Sequence, residues 1–173
     1  IYIAGNVNSK DYSVSIEGGK KYYLHLGYVS DTSGNDKFTI NSIKLDGQKL
    51  EFVNEISPYL NSTKANSSII EGTGNVILNN GRLNTEATSS TSGIKSSGNA
   101  QINGGYLSGM ANSIYLTSNA KEESVITING ATINSVNTAI RNEGNGKIVI
   151  NDVCCVNGTL ISNSDSTTGD IIV

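Results

Sequence analysis

The stretch from Ser124 to Ile133, S-V-I-T-I-N-G-A-T-I, decides the fold, because it predicts a short alternating strand, an Asn-Gly corner and a second strand. The phrase occurs in four copies, and in each an apolar anchor residue is followed by a polar residue at the corner and then by a second inward residue. These pairs are Leu78/Leu83, Ile102/Leu107, Ile128/Ile133 and Ile150/Cys155. Successive anchors recur at similar but unequal intervals. A period of roughly 20 to 30 residues built from strands and corners is typical of a solenoid.

Each coil is predicted to contain three short strands separated by corners. Alternation places Val76 and Leu78 on the inner face of the first strand. The residues predicted at the corner after each anchor are Asn79, Asn103, Asn129 and Asn151. Asn tolerates the left-handed conformation that such a corner requires, and amides stacked at about 4.8 Å can bond in a ladder. A third inward residue is expected at Ile94, Ile114, Ile140 and Leu160.

The fold class predicted from this pattern is all-β. Residues 69–173 are expected to form a parallel β-helix of about four coils, right-handed because parallel crossovers nearly always are. Residues 1–57 are expected to form an antiparallel β meander or cap, since solenoid ends need one, and residues 58–68 a polar connector.

The first part of the chain departs from the repeat. Eight of the ten aromatic residues precede residue 60, and Gly18-Gly19 and Asp46-Gly47 separate alternating runs, which predicts hairpins. The segment from Leu45 to Leu50 also fits the coil phrase, with Asp46 in the Asn position. The step from Leu45 to Leu78 is longer than any interval between successive anchors, so it does not fit the register and the hairpin is the favoured interpretation.

Composition excludes several classes of function. The 173 residues carry a formal net charge of -3, with acidic and basic residues scattered along the chain. The chain contains no block of basic residues, so nucleic-acid binding is not expected. No apolar run approaches about 18 residues, so no membrane span is predicted. Cys154 and Cys155 are adjacent, which indicates free thiols rather than a disulfide framework. The chain begins at Ile1 and ends at Val173, both in apolar strand-like segments, and it is expected to be a piece of a longer protein.

No constellation of residues predicts catalysis, a metal site or a cofactor. The acids of the coils do not recur at one coil position, and glycoside hydrolysis needs a carboxylate pair at about 5 to 10 Å. The single histidine, His25, lies outside the predicted coils with no nucleophile beside it. We therefore predict no catalytic residues and no resident cofactor in this stretch of chain.

Two outward columns are the candidate binding residues. The position four after each anchor carries Arg82, Tyr106, Thr132 and Cys154, and the position after each third inward residue carries Lys95, Tyr115, Arg141 and Ile161. Tyrosine rings stack on sugars, and Arg and Lys pair with carboxylates or sulfates, so the candidate ligand-binding residues are Lys95, Tyr115, Arg141, Arg82 and Tyr106. The alternative interpretation is that these are ordinary solvent-facing strand residues.

Two family resemblances bear on function. The phrase I-x-I-N-G-x-x-I (Ile126 to Ile133) resembles the right-handed β-helix repeats of pectate-lyase-like enzymes, phage tailspikes and bacterial surface adhesins, and it covers residues 69–173. The run G-G-K-K-Y-Y-L-H-L-G-Y-V-S (Gly18 to Ser30), followed by I-K-L-D-G-Q-K-L (Ile43 to Leu50), resembles the later strands of jelly-roll carbohydrate-binding modules.

The first resemblance implies the fold and says little about activity, and the polar, low-charge repeat without catalytic residues predicts a non-enzymatic, extracellular adhesin-type segment at a cell or virion surface. Its expected partner is a polysaccharide or a host-surface glycan, or it acts only as a spacer. The alternative is part of a carbohydrate-active β-helix protein, a tailspike or polysaccharide lyase, whose catalytic residues lie elsewhere. Oligomeric state is left open.

Overall fold

The computed structural model describes residues 42–52, 59–86, 91–163 and 169–173 in full, together with the backbone of four earlier strands. Those four are β1 (Tyr2–Ala4), β2 (Val14–Ile16), β3 (His25–Gly27) and β4 (Phe38–Thr39). All regular elements in the described ranges are strands, and no helix there is long and apolar enough to cross a membrane.

Fifteen further strands follow in chain order. They are β5 (Ile43–Leu45), β6 (Lys49–Phe52), β7 (Tyr59–Ser62), β8 (Ser68–Gly72), β9 (Asn75–Leu78), β10 (Arg82–Thr85), β11 (Ser92–Ser96), β12 (Asn99–Ile102), β13 (Tyr106–Ser108), β14 (Asn112–Leu116), β15 (Val125–Ile128), β16 (Thr132–Asn142), β17 (Lys147–Ile150), β18 (Cys154–Asn163) and β19 (Ile171–Ile172).

The coils stack into three faces of parallel strands. Face one is the six-stranded sheet β6-β9-β12-β15-β17-β19. Face two contains β4, β7, β10, β13 and the first halves of β16 and β18, and face three contains β2, β5, β8, β11, β14 and the second halves. Every neighbour of a strand lies one coil away along the chain, so six strands in face one mark about five turns. The predicted parallel β-helix is confirmed, with one turn more than the repeat suggested.

The predicted register is confirmed by the core. Leu78 lies beside Ile102, Ile102 beside Ile128, and Ile128 beside Ile150, so the anchors form one inner column. Two further columns of inward residues are fully buried on the other faces: Leu60, Leu83, Leu107 and Ile133 on face two, and Ile43, Ile70, Ile94, Ile114 and Ile140 on face three. Burying such a side chain stabilises the fold by about 1.5 to 3 kcal/mol.

The Asn residues after the anchors form the predicted amide ladder. The Nδ2 of Asn103 donates to Oδ1 of Asn79, that of Asn129 to Asn103, and that of Asn151 to Asn129, each at 2.7 Å. Because strands one coil apart are separated by about 4.8 Å, one amide per coil is enough to continue the chain of hydrogen bonds.

The prediction that these Asn residues adopt the left-handed conformation is wrong. Asn66, with φ 57°, is the only residue other than glycine with positive φ in the described ranges. Two of the four corners instead use glycine two positions after the Asn, where Gly81 and Gly105 have φ 123° and 107°; Ala131 and Val153, at the same positions of the other two corners, do not have positive φ. Glycine adopts such angles without a side-chain clash, so the Asn residues are left to serve the ladder.

The predicted antiparallel hairpin at Asp46-Gly47 is also wrong. Strands β5 and β6 do not pair with each other: β5 lies parallel to β8 on face three, and β6 lies parallel to β9 on face one. The residue in register with Leu78 is Phe52, and the step between them equals the step from Ile102 to Ile128. A glycine turn between alternating runs serves a solenoid corner as well as it serves a hairpin.

Regular coils therefore begin ahead of residue 69. Strand β7, inside the predicted connector over residues 58–68, pairs parallel with β10, and β2 pairs parallel with β5. All strand pairings in the described part of residues 1–57 are parallel, so the antiparallel meander is not found there. The predicted turn at Gly18-Gly19 lies outside the described residues. The division of the chain into a separate N-terminal unit and a solenoid stays a prediction, and so does the right-handed sense.

The last coil is irregular in its pairing with the coil before it. Ile133 faces Cys155 but Asn134 faces Asn157, so Val156 is an extra residue in β18, and a second shift in register follows between Asn134 and Thr138 of β16. After these shifts Ile161, and not Leu160, lies beside Ile140, and Leu160 is 39% exposed. The predictions that placed Leu160 inward and Ile161 outward are therefore wrong.

The two adjacent cysteines end face two of the described solenoid. Both are free thiols, as predicted. Cys154 is exposed, and Cys155 packs against the core at the predicted inward position, although it is only half-buried.

Candidate functional site

The two predicted outward columns exist and extend further than predicted. On face two, pairing aligns Tyr59, Arg82, Tyr106, Thr132 and Cys154, which we call the Arg82 column. On face three, pairing aligns Lys44, Glu71, Lys95, Tyr115 and Arg141, which we call the Tyr115 column. Ser162, and not Ile161, continues the second column beyond Arg141 because of the irregular pairing of β16 with β18.

In-register parallel pairing is what brings these side chains together. Residues at the same position of neighbouring strands lie about 4.8 Å apart on the same face of the sheet. Flat groups at that spacing stack on one another, so a cation on one coil lies over a tyrosine ring on the next. The structure thus unites all five predicted site residues, in two groups: Arg82 with Tyr106, and Lys95 with Tyr115 and Arg141.

In the Arg82 column the guanidinium group lies between two aromatic rings. The Cζ atom of Arg82 is 4.6 Å from the ring centroid of Tyr59 and 5.2 Å from that of Tyr106. Tyr59 belongs to the preceding coil and Tyr106 to the following one, so the rings flank the cation on both sides. Among the described residues, the Arg82 side chain has no hydrogen bond and no ion pair with a carboxylate.

In the Tyr115 column, the cations and the tyrosine contact one another and neighbouring carboxylates. Lys95 Nζ lies 5.8 Å, and Arg141 Cζ 5.3 Å, from the ring centroid of Tyr115. The Tyr115 hydroxyl donates to Oε2 of Glu143, and Nη2 of Arg141 donates to Oε1 of the same carboxylate. At the other end of the column, Lys44 Nζ pairs with Glu71 Oε1 at 3.2 Å.

Protonation in this cluster follows from those hydrogen bonds. The hydrogen bond from the Tyr115 hydroxyl lowers the pKa of Glu143, against the opposing effect of burial, and the contact with Arg141 lowers it further. Burial, followed by the hydrogen bond to Glu143, raises the pKa of Tyr115 to about 12. At neutral pH the tyrosine is therefore neutral, and the Glu143 carboxylate compensates the charge of Arg141.

Sequence reasoning missed two important residues of these columns. Glu143 lies directly after β16 and two positions beyond Arg141, and alternation of an extended chain places both on one face, a signal that was present in the sequence. Tyr59 precedes its partner Arg82 by one coil, but it fell in the predicted connector. Neither residue could be predicted from the repeat, because Glu143 does not occupy one of the repeated outward positions and Tyr59 precedes residues 69–173.

A second amide ladder runs along face two beside the Arg82 column. Asn84 Nδ2 donates to Asn61 Oδ1 at 2.7 Å, Ser108 Oγ donates to Asn84 Oδ1 at 2.6 Å, and Asn61 Nδ2 donates to Glu86 Oε1 at 3.1 Å. Asn61 is fully buried, so its amide holds the strands of this face at a fixed position. The ladder thus supports the coils on which Tyr59, Arg82 and Tyr106 lie.

Face one provides a contrast. One outward column consists of Glu51, Ile77, Gln101, Thr127 and Val149, and the other outward positions include Lys49 and Lys147, but none of the described outward residues of this face is aromatic. In the described ranges no three His, Cys, Asp or Glu residues lie close enough together to hold a metal ion. The stacked cations and tyrosines of faces two and three are therefore the most distinctive chemistry on the described surface.

Comparison of the chain with family models, with curated proteins and with solved structures finds no match.

Proposed function

We propose that this chain is a non-enzymatic segment of an extracellular surface protein and that it binds acidic glycans along the two outward columns. The observation that carries the proposal is the stacking of Arg82 between Tyr59 and Tyr106, one group per coil. Aromatic faces and cations are the groups that recognise sugar rings and their carboxylate or sulfate substituents.

The repeat spacing favours an extended polymer as ligand. Both columns run along the axis of the solenoid, with one side chain about every 4.8 Å, and together they cover several successive coils. A small compact ligand uses a concave pocket, whereas a linear chain of sugars matches a row of contacts on a flat sheet. Side chains already held by stacking lose little further freedom on binding, which favours affinity.

The two columns offer different contacts. The flanking cations Lys95 and Arg141 already cover the ring of Tyr115, so this column presents cationic edges rather than an open aromatic face. In the Arg82 column one cation, Arg82, lies over the rings of Tyr59 and Tyr106, and among the described residues no second cation lies over either ring. A sugar ring therefore has better access to aromatic surface on face two than on face three.

A glycan array tests the proposal. Retention is measured on polygalacturonate, alginate and a sulfated glycan, with a neutral glucan as the reference surface. The triple variant Arg82→Ala, Lys95→Ala, Arg141→Ala removes the column cations that contact tyrosine and should lose retention on all acidic surfaces. The matched control, Lys49→Ala, Lys121→Ala, Lys147→Ala, removes the same charge from residues outside both columns and should retain binding.

Two results would contradict the proposal. Equal loss of retention in the two triple variants would indicate attraction by net charge alone. Release of reducing sugars or unsaturated products from these glycans, abolished by replacing acids within residues 69–173, would instead identify the segment as part of a carbohydrate-active enzyme.

A further inference from the structure

We infer that Arg82, held between Tyr59 and Tyr106, is a binding site for a single carboxylate or sulfate group. The inference rests on the proposed function only in naming a glycan as the carrier of that group. The site consists of one guanidinium on face two and the two rings that flank it. It combines three features: a planar set of donors, no carboxylate partner among the described residues, and rigid support.

The geometry of the guanidinium group suits a planar anion. Its five N–H donors lie in one plane, and its two faces carry no donor. With Tyr59 at 4.6 Å on one side and Tyr106 at 5.2 Å on the other, the faces are covered and the donors remain at the edge. A planar carboxylate, or two oxygens of a sulfate, accepts a pair of parallel hydrogen bonds from such an edge.

The charge of Arg82 is not compensated by a carboxylate among the described residues. In the Tyr115 column Lys44 pairs with Glu71, and Arg141 pairs with Glu143. Arg82 is exposed, and among the described residues it forms no ion pair with a carboxylate and its side chain donates no hydrogen bond. Its donors are therefore available to an external ligand. Glu86 is the next carboxylate along the chain, and at the rise of an extended strand its backbone lies roughly 13 Å from that of Arg82. Its side chain accepts a hydrogen bond from Asn61.

The strands that carry the site hold it rigidly. Arg82 lies on β10, a central strand of face two with β7 on one side and β13 on the other. The hydrogen bonds from Asn84 to Asn61 and from Ser108 to Asn84 tie the same three strands together. A long arginine side chain normally loses much conformational freedom when it binds a ligand, and stacking between two supported rings removes that freedom in advance.

These features also predict which substitutions matter. Lysine keeps the positive charge but has neither the planar fork nor a flat face to stack between rings. Arg82→Lys should therefore weaken binding of an acidic ligand strongly, although the net charge of the protein is unchanged. Lys147→Arg is the matched control, because it exchanges the same two residue types at unchanged net charge on an exposed residue of face one, outside both columns.

Binding is measured with trigalacturonate and the ¹⁵N-labelled protein by NMR, with the Nε–Hε resonance of Arg82 as a direct reporter. We expect a saturable shift of that resonance, a loss of affinity of at least tenfold in Arg82→Lys, and a change of less than twofold in Lys147→Arg. Replacing Tyr59 and Tyr106 together by leucine should weaken binding several-fold. Circular dichroism and the melting temperature confirm that each variant is folded.

Small anions separate failure of the site from failure of the proposed function. Acetate and methyl sulfate are titrated in parallel and show whether carboxylate or sulfate is preferred. A saturable Arg82 shift with either anion but no binding of trigalacturonate or sulfated glycans supports the site and contradicts glycan binding. Binding of trigalacturonate that Arg82→Lys leaves unchanged overturns the site while the proposed function stands. Absence of an Arg82 shift with every anion tested also overturns the site.

Discussion

Replacing Asn103 with glycine distinguishes two roles for the Asn that follows each anchor. If the corner needed a left-handed residue, glycine would be neutral or stabilising there, because glycine adopts positive φ without cost. In the structure that conformation belongs to Gly105, and Asn103 bonds to its neighbours along the ladder. Asn103→Gly should therefore destabilise the solenoid at least as much as Asn103→Ala.

The magnitude follows from the hydrogen bonds that are lost. Asn103 donates to Asn79 at 2.7 Å, accepts from Asn129 at 2.7 Å and accepts from Gln101 at 3.0 Å. These groups are exposed, so each bond contributes near the lower limit, about 0.5 kcal/mol, and the loss of three costs about 1.5 kcal/mol. Glycine adds about 0.5 kcal/mol through the flexibility of the unfolded chain. Asn151→Ala, at the end of the ladder, removes one such bond and should cost about 0.5 kcal/mol.

Urea denaturation and thermal melting, followed by circular dichroism, measure these differences. For a chain of this length about 1.5 kcal/mol corresponds to a decrease in melting temperature of about 3 to 6 °C. The expected order of stability is wild type, Asn151→Ala, Asn103→Ala and then Asn103→Gly. A glycine variant as stable as the wild type would refute the ladder as the reason for Asn at this position.

Two further predictions concern backbone and protonation. Gly72→Ala should lower the free energy of unfolding by more than about 3 kcal/mol, because φ is 134° and the added Cβ would lie 1.8 Å from the carbonyl oxygen of Leu45. Gly47→Ala, where φ is 80° and the space around the added Cβ is open, should lower it by only about 1 to 2 kcal/mol. The midpoints of urea denaturation measure both differences. Because its pKa is raised to about 12, Tyr115 should not contribute to the tyrosinate absorbance that develops near pH 10. The stabilisation that comes from its raised pKa should be complete below pH 10 and should be lost as the pH rises towards 12. The difference between wild-type and Tyr115→Phe titrations measures this, and a midpoint near 10 would contradict the contact with Glu143.

The repeating part of the fold could be predicted because a solenoid applies one rule many times. The anchors Leu78, Ile102, Ile128 and Ile150 share one inner column, and their spacing alone fixed which residues stack. The same spacing predicted that Arg82 would lie beside Tyr106 and Lys95 beside Tyr115. Periodicity is sufficient for such residues because each coil contacts only its neighbours.

The remaining features depend on choices that local sequence does not determine. The Asp46-Gly47 turn has the same composition whether its flanking strands pair with each other or with the next coil, and only the register of Phe52 with Leu78 decides between them. The extra residue Val156 could not be predicted because the bulge is visible only when β18 is aligned with β16. Glu143 was missed because it occurs once and not in every coil.

The most direct test of glycan binding by the outward columns is an NMR map of the shifts that trigalacturonate causes over the whole labelled chain. We expect perturbations centred on Tyr59, Arg82 and Tyr106 and extending to the Tyr115 column, with Gln101 and Thr127 on face one unaffected. Shifts of equal size on face one, or no saturable shift at all, would contradict glycan binding by these columns.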